Sequence, residues 1–149
     1  MTHPVFSPFR IAVIEDESVQ RQALMDVLRM EGYDCLGYDL PSAALADENL
    51  ANADLLITDL NMPGMTGLEL IQTVRQKNPE IGAILVTGRA SLQTAIDAVR
   101  VGAADYVLKP FKLTTILATV SKAIEQQRLR REVARLQRDL EVRNQELIL

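Results

Sequence analysis

Ala53-Asp54-Leu55-Leu56-Ile57-Thr58-Asp59-Leu60-Asn61-Met62-Pro63-Gly64 is the stretch on which the reading of this 149-residue chain turns. Leu55 to Ile57 is a continuous apolar run of the kind that forms a strand buried on both faces. The run stops at a carboxylate, Asp59, and a Pro-Gly turn follows at once. Holding a charge at the end of a buried strand is costly. Alone, Asp59 reads as readily as a turn residue or helix cap as it does as a functional acid. The other strand ends decide between these readings.

On the amino-terminal side, Arg10 to Ile14 is a short apolar strand that ends on Glu15-Asp16-Glu17. Val19 to Met30 has helical spacing, with Ala23, Leu24, Val27 and Leu28 on one face and Gly32 as the stop. Tyr33 to Tyr38 is a second strand, and Pro41 to about Asn49 an Ala-rich helix. On the carboxyl side, Thr66-Gly67-Leu68-Glu69 is a capping box, and Leu68, Ile71 and Val74 form the inner face of a helix that ends before Pro79. Ile81 to Val86 is a fourth strand ending on Thr87-Gly88. Ser91 to Val101 is a helix with Ala95, Ile96 and Val99 inward and Gly102 as terminator. Tyr106 to Leu108 is a fifth strand ending on Lys109-Pro110. From Lys112 onward there is neither Gly nor Pro, which predicts one long helix. Met1 to Phe9 carries two prolines and reads as a tail, with the single histidine, His3, inside it.

Strand and helix alternate five times, the pattern of a doubly wound α/β fold with a five-stranded parallel sheet. The crevice of such a sheet lies at the carboxyl ends of its strands, where the chain has put Glu15, Asp16, Asp59, Thr87 and Lys109. Apolar content of 48% and charged content of 24% fit one globular domain with a helical extension. A net charge of -4 argues against a general nucleic-acid binder. The one cysteine, Cys35, sits in an apolar-aromatic run and reads as a buried reduced thiol. No signal-peptide pattern appears, and no apolar run approaches the roughly 20 residues that span a bilayer. The expected location is the cytoplasm.

Glu15, Asp16 and Asp59 form a hard oxygen site of the kind magnesium takes, with waters and phosphate oxygens completing its shell. Without a cation they repel: two unit charges about 5 Å apart at an effective dielectric near 20 interact by roughly 3 kcal/mol. A cation beside Asp59 makes it a nucleophile toward phosphorus. Lys109 would then neutralise phosphoryl oxygens, and the Thr87 hydroxyl would bond one of them. Singly, Lys109 is an ordinary surface lysine and Thr87 a helix cap; the set of five carries the reading.

With these residues in place, the chain resembles the receiver domain of two-component response regulators. The resemblance covers about residues 9 to 124 and rests on Glu15-Asp16, Asp59 with Met62-Pro63-Gly64 and Gly67, Thr87-Gly88, and Lys109-Pro110-Phe111. It implies a flavodoxin-like strand order 2-1-3-4-5. It implies that Asp59 accepts a phosphoryl group from a sensor histidine kinase or phosphotransfer protein. It further implies Mg2+ held by Asp16, Asp59 and the backbone carbonyl of Asn61, with Glu15 acting through water. Thr87 and Tyr106 become a switch pair, the plainer reading of Tyr106 being a half-buried strand aromatic. Lys109 pairs with the phosphoryl group, and its bond to Pro110 is expected to be cis. Asn61 and Arg89 occupy positions that influence phosphate lifetime in the family, and glutamate rather than aspartate at 15 is the one small departure.

Ile116, Val120 and Ile124 are expected to close the domain. The apolar seam then changes phase to Leu129, Val133, Leu136, Leu140, Arg143 and Leu147, in alternating steps of four and three. This predicts a coiled coil joining a parallel homodimer through 129–147, against a single solvated helix held by pairs such as Asp139 with Arg143. Six arginines from Arg128 to Arg143 are interleaved with acids, a mixed surface rather than a nucleic-acid site. The divisions expected are a tail at 1–9, a receiver at 10–124 and a helical extension at 125–149, with an output domain expected beyond it. The protein reads as a magnesium-dependent phosphoacceptor switch that catalyses only its own phosphoryl uptake and loss, not as an enzyme. One rival is a haloacid-dehalogenase-type phosphatase, which normally needs a second Asp where Asn61 stands. The other is a pseudo-receiver, an interaction module that is never phosphorylated.

Overall fold

In the computed structural model, which describes residues 9–89 and 91–148, strands and helices alternate along the chain. The order is β1 (Arg10–Ile14), α1 (Ser18–Met30), β2 (Asp34–Tyr38), α2 (Pro41–Ala46), β3 (Leu55–Asp59), α3 (Gly67–Lys77), β4 (Gly82–Thr87), α4 (Leu92–Arg100), β5 (Asp105–Leu108) and α5 (Leu113–Ile148). All neighbouring strands are parallel, in the order β2-β1-β3-β4-β5. This is the doubly wound sheet that the alternation predicts, in the flavodoxin-like order that the resemblance implies, with an extended last helix. The expected tail, His3 included, lies outside the described residues except for Phe9.

Side chains alternate across each strand, so the apolar runs feed two cores. Ile11, Val13, Leu55, Ile57, Ile84 and Val86 pack against α1 and α5. Ala12, Ile14, Leu56, Ala83 and Leu85 pack against α2, α3 and α4. β3 and β4 are buried at every position, which is why they read as unbroken apolar runs. Gly32 (φ 93°) and Gly102 (φ 82°) turn the chain out of α1 and α4, positions that glycine takes without a Cβ penalty.

Several expectations need correcting. The helix expected over Pro41 to about Asn49 ends at Ala46, because the Asp47 side chain accepts from the Asn49 N–H and starts a separate 3-10 turn, Glu48–Asn52. In α1, Leu24, Met25 and Leu28 are buried while Ala23 is exposed. In α3, Thr66 caps the Glu69 N–H at 3.2 Å, but the Glu69 carboxylate returns to the Thr66 hydroxyl and not to its backbone. The largest departure is α4. Val99 and Ile96, expected inward, are 76% and 39% exposed, and Ala98 is the residue that faces the core. A stripe at helical spacing marks a face, and here small Ala98 permits close approach to the sheet while the larger side chains point outward.

Candidate functional site

The register of the sheet assembles the site. Ile14 pairs with Thr58, so the next residues, Glu15 and Asp59, emerge side by side. Asp59 pairs with Val86, which places Thr87 one residue beyond. Thr87 pairs with Leu108, which places Lys109 one residue beyond that. The predicted residues from β1, β3, β4 and β5 therefore meet at one end of the sheet.

Carboxylate oxygens of Glu15, Asp16 and Asp59 lie within 4.8 Å of one another. Glu15 and Asp59 are buried at 7% and 9% exposure, while Asp16 is open to solvent. Lys109 Nζ donates to Glu15 Oε1 at 2.8 Å and to Asp59 Oδ2 at 2.9 Å, and it stands 2.8 Å from Asp59 Oδ1. Glu15 Oε2 is buried and has no partner among the described residues. Three carboxylates against one ammonium leave net negative charge, and a buried oxygen without a donor is costly. The donor set thus fits a hard divalent cation. Burial, followed by the hydrogen bond with Asp59, pushes the Glu15 carboxyl above its ordinary value. Burial works against the Lys109 charge, but its hydrogen bonds with Asp59 and Glu15 outweigh that and hold the ammonium above its usual range.

The surrounding backbone fixes these side chains. Arg21 Nη1 donates to the Glu15 carbonyl at 2.7 Å, tying the first turns of α1 to the end of β1. The Gly67 N–H donates to the Leu60 carbonyl at 2.8 Å, and a Cβ on Gly67 would run into the Asp59 carbonyl oxygen. Hence the glycine of the capping box is required by close approach, not by φ. The Lys109-Pro110 bond is cis. Beside Asp59 opens a cavity of about 410 Å3, walled by Val13, Leu24, Ile57, Val86 and Phe111.

Two predicted residues are near the cluster without touching it. Thr87 is buried, and its hydroxyl accepts from the Arg89 N–H at 3.1 Å and donates to the Arg89 carbonyl at 3.2 Å, turned into its own loop. Tyr106 is half-buried against the core that contains Leu85 and Ala98. Asn61 and Arg89 are exposed in the loops after β3 and β4. Arg21 and Gln20, whose Oε1 is 3.5 Å from Lys109 Nζ, were not singled out from sequence. Their only signal is their place in the first turn of the helix that follows the acidic pair.

A family profile, the response regulator receiver domain, matches residues 11–133. The response regulator protein FleR of Pseudomonas aeruginosa is 34% identical over 113 residues, which are 76% of this chain and 24% of that protein. The C4-dicarboxylate transport transcriptional regulatory protein DctD of Rhizobium meliloti is 31% identical over 139 residues, 93% of this chain and 30% of its own length. Among solved structures, NtrX from Brucella abortus in complex with ADP superposes with a TM-score of 0.80 at 30% identity, covering 87% of this chain and 30% of that one. The chain thus spans about a quarter to a third of the length of these relatives. Among the described residues no helix is long and apolar enough to cross a membrane. The matched profile, the strand order and the residues gathered at the strand ends agree: this chain belongs to the response regulator receiver domain family.

Proposed function

We propose that Asp59 accepts a phosphoryl group from a histidine kinase or phosphotransfer protein and that the change is relayed through α5. The observation that carries this reading is the bridging of Asp59 and Glu15 by Lys109 Nζ at the mouth of the sheet. An Asp59 oxygen attacks phosphorus, the bond from phosphorus to the donor breaks, and the donor keeps that electron pair. Lys109 is already beside the attacking carboxylate, so it meets the phosphoryl oxygens without reorganising. The Thr87 hydroxyl, now spent on its own loop, would turn to offer its proton to a phosphoryl oxygen, with Tyr106 following as its switch partner. Asp16, Asp59 and the Asn61 carbonyl would hold magnesium, with Glu15 through water; the ion supplies charge neutralisation to the transferring group.

The reading makes the chain a switch and not a turnover enzyme. Relatives named as transcriptional regulators support an output carried outside this receiver. We take residues 10–124 as the switching unit and 125–149 as the helical coupling extension. A small phosphodonor such as acetyl phosphate with magnesium should add one phosphoryl group, read by intact-mass spectrometry. Asp59→Asn should abolish the adduct. A full adduct on that variant would refute the assignment, and no adduct on the parent protein would favour a pseudo-receiver.

A further inference from the structure

α5 keeps hold of the sheet beyond its last buried apolar residue. Past Ile124, Gln127 is 1% exposed, and its Nε2 donates to the Glu80 carbonyl at 2.9 Å. One turn on, Arg131 Nη2 donates to Asp54 Oδ1 at 2.8 Å, and the other oxygen of Asp54 accepts from the Arg10 N–H at 2.8 Å. The Arg128 guanidinium lies 5.0 Å over the Phe9 ring. The partners Phe9, Arg10, Asp54 and Glu80 all stand at or just before the starts of β1, β3 and β4, the end of the sheet away from Asp59. These contacts carry the attachment of α5 to the sheet past Ile124.

With about 100° per residue in an α-helix, Leu129, Val133, Leu136 and Leu140 lie roughly opposite Gln127 and Arg131. They are 58%, 52%, 49% and 58% exposed. We infer that Gln127, Arg128 and Arg131 form a clasp that fixes the rotation of α5, so that the apolar seam faces away from its own sheet and takes a second copy of this chain, with the two receivers on the outer flanks of the coil. Apolar packing is non-directional and tolerates rotation, whereas hydrogen bonds to fixed strand starts specify one phase. The second copy is the fitting occupant because Glu125 and Arg130 flank the seam on opposite sides, both exposed and outside the clasp, so each meets its opposite charge on a parallel partner. The flanking arrangement rests on the dimer reading; the clasp does not.

Two measurements on the full chain separate these parts. In hydrogen exchange, Arg131→Ala should speed amide exchange across 125–135 about tenfold, while 113–122 stay protected and Asp59 phosphorylation is unchanged. Arg131→Lys, which keeps the charge but loses the fork, should fall between. Unchanged protection in Arg131→Ala overturns the clasp. For the seam, Leu136→Cys and Ala134→Cys are oxidised in parallel; the native Cys35 is buried, its thiol pushed up to about 11, and stays out of the reaction. Leu136→Cys should cross-link at least tenfold faster than Ala134→Cys, which sits on the clasp side. Equal rates overturn the seam's direction. No cross-link in either, with a monomer in sedimentation, overturns the dimer reading and the flanking arrangement, and leaves the clasp to the exchange experiment.

Discussion

Asp59 sits in a balance that can be estimated. Its attraction to Lys109 across 2.8 Å is worth about 6 kcal/mol at an effective dielectric of 20. Its repulsion from Glu15 and Asp16, each within 4.8 Å, amounts to about 3.5 kcal/mol or more apiece on the same scale. The repulsions slightly exceed the attraction, and desolvation of a 9% exposed carboxylate adds to the deficit. Asp59→Asn should therefore raise the metal-free stability by about 1–3 kcal/mol, and magnesium should raise the melting temperature of the parent more than that of the variant. Equal magnesium responses would count against a shared site. Glu15 gives a pH dependence of definite sign. Its folded value is raised, so its contribution is fully present below about 4.5 and is lost as pH rises through the folded value. Metal-free melts should show that loss, and Glu15→Gln should remove it. Gly67→Ala tests the backbone behind Asp59. Its Cβ has the Asp59 carbonyl and a Leu85 methyl to displace, so a cost of about 1–3 kcal/mol is expected. Phosphorylation should slow even in the folded fraction, and an unperturbed rate would show that Asp59 is not held by this contact.

At the level of elements, what the sequence revealed depended on whether apolar periodicity has one interpretation. The β3 and β4 runs have no polar face, so burial on both sides follows directly, and the residue that ends each run marks the mouth of the sheet. That is why Asp59 and Thr87, and by the same logic Glu15 and Lys109 after β1 and β5, are legible in the sequence as residues of the sheet's mouth. α4 is different, because Leu92, Ile96 and Val99 share a face whose direction the sequence does not encode. Its true inner residue, Ala98, is too small to weigh in the pattern. Gln127 was invisible for the converse reason, being a polar side chain with a buried amide, recognisable only beside the Glu80 carbonyl. The contrast is measurable in urea melts. Val99→Ser should change stability by no more than about 0.5 kcal/mol, whereas Ile116→Ala, fully buried on α5, should cost about 2–5 kcal/mol. A large loss for Val99→Ser would mean that α4 is rotated from the position described.

For the whole molecule, we propose that two chains pair in parallel along α5. With Val133, Leu140 and Leu147 at a and Leu129, Leu136 and Arg143 at d, the g positions are Glu125, Glu132, Asp139 and Glu146, all acidic. The e positions are Arg130, Gln137 and Asn144. A parallel pair sets g against e, so Glu125 meets Arg130 and no like charges oppose; an antiparallel pair sets acid against acid. Glu132 already has a local partner in Arg135, an exposed pair worth little in either arrangement. The side chains of the seam are about half exposed from Leu129 to Leu140, an unpaired apolar stripe that a partner helix would cover. The parallel arrangement places both receivers at one end, with their Asp59 mouths away from the coil and open to a phosphodonor. Arg143 at d weakens the far end, so a modest affinity with frayed tips is expected. Leu136→Asp puts a charge at the centre of the seam and should convert the dimer to monomer in sedimentation, while the phosphoryl adduct on Asp59 still forms. An unmodified chain that sediments as a monomer at about the tens of micromolar where a short coil pairs, or a crystal with antiparallel α5 helices, would overturn this arrangement and leave the phosphoacceptor site untouched.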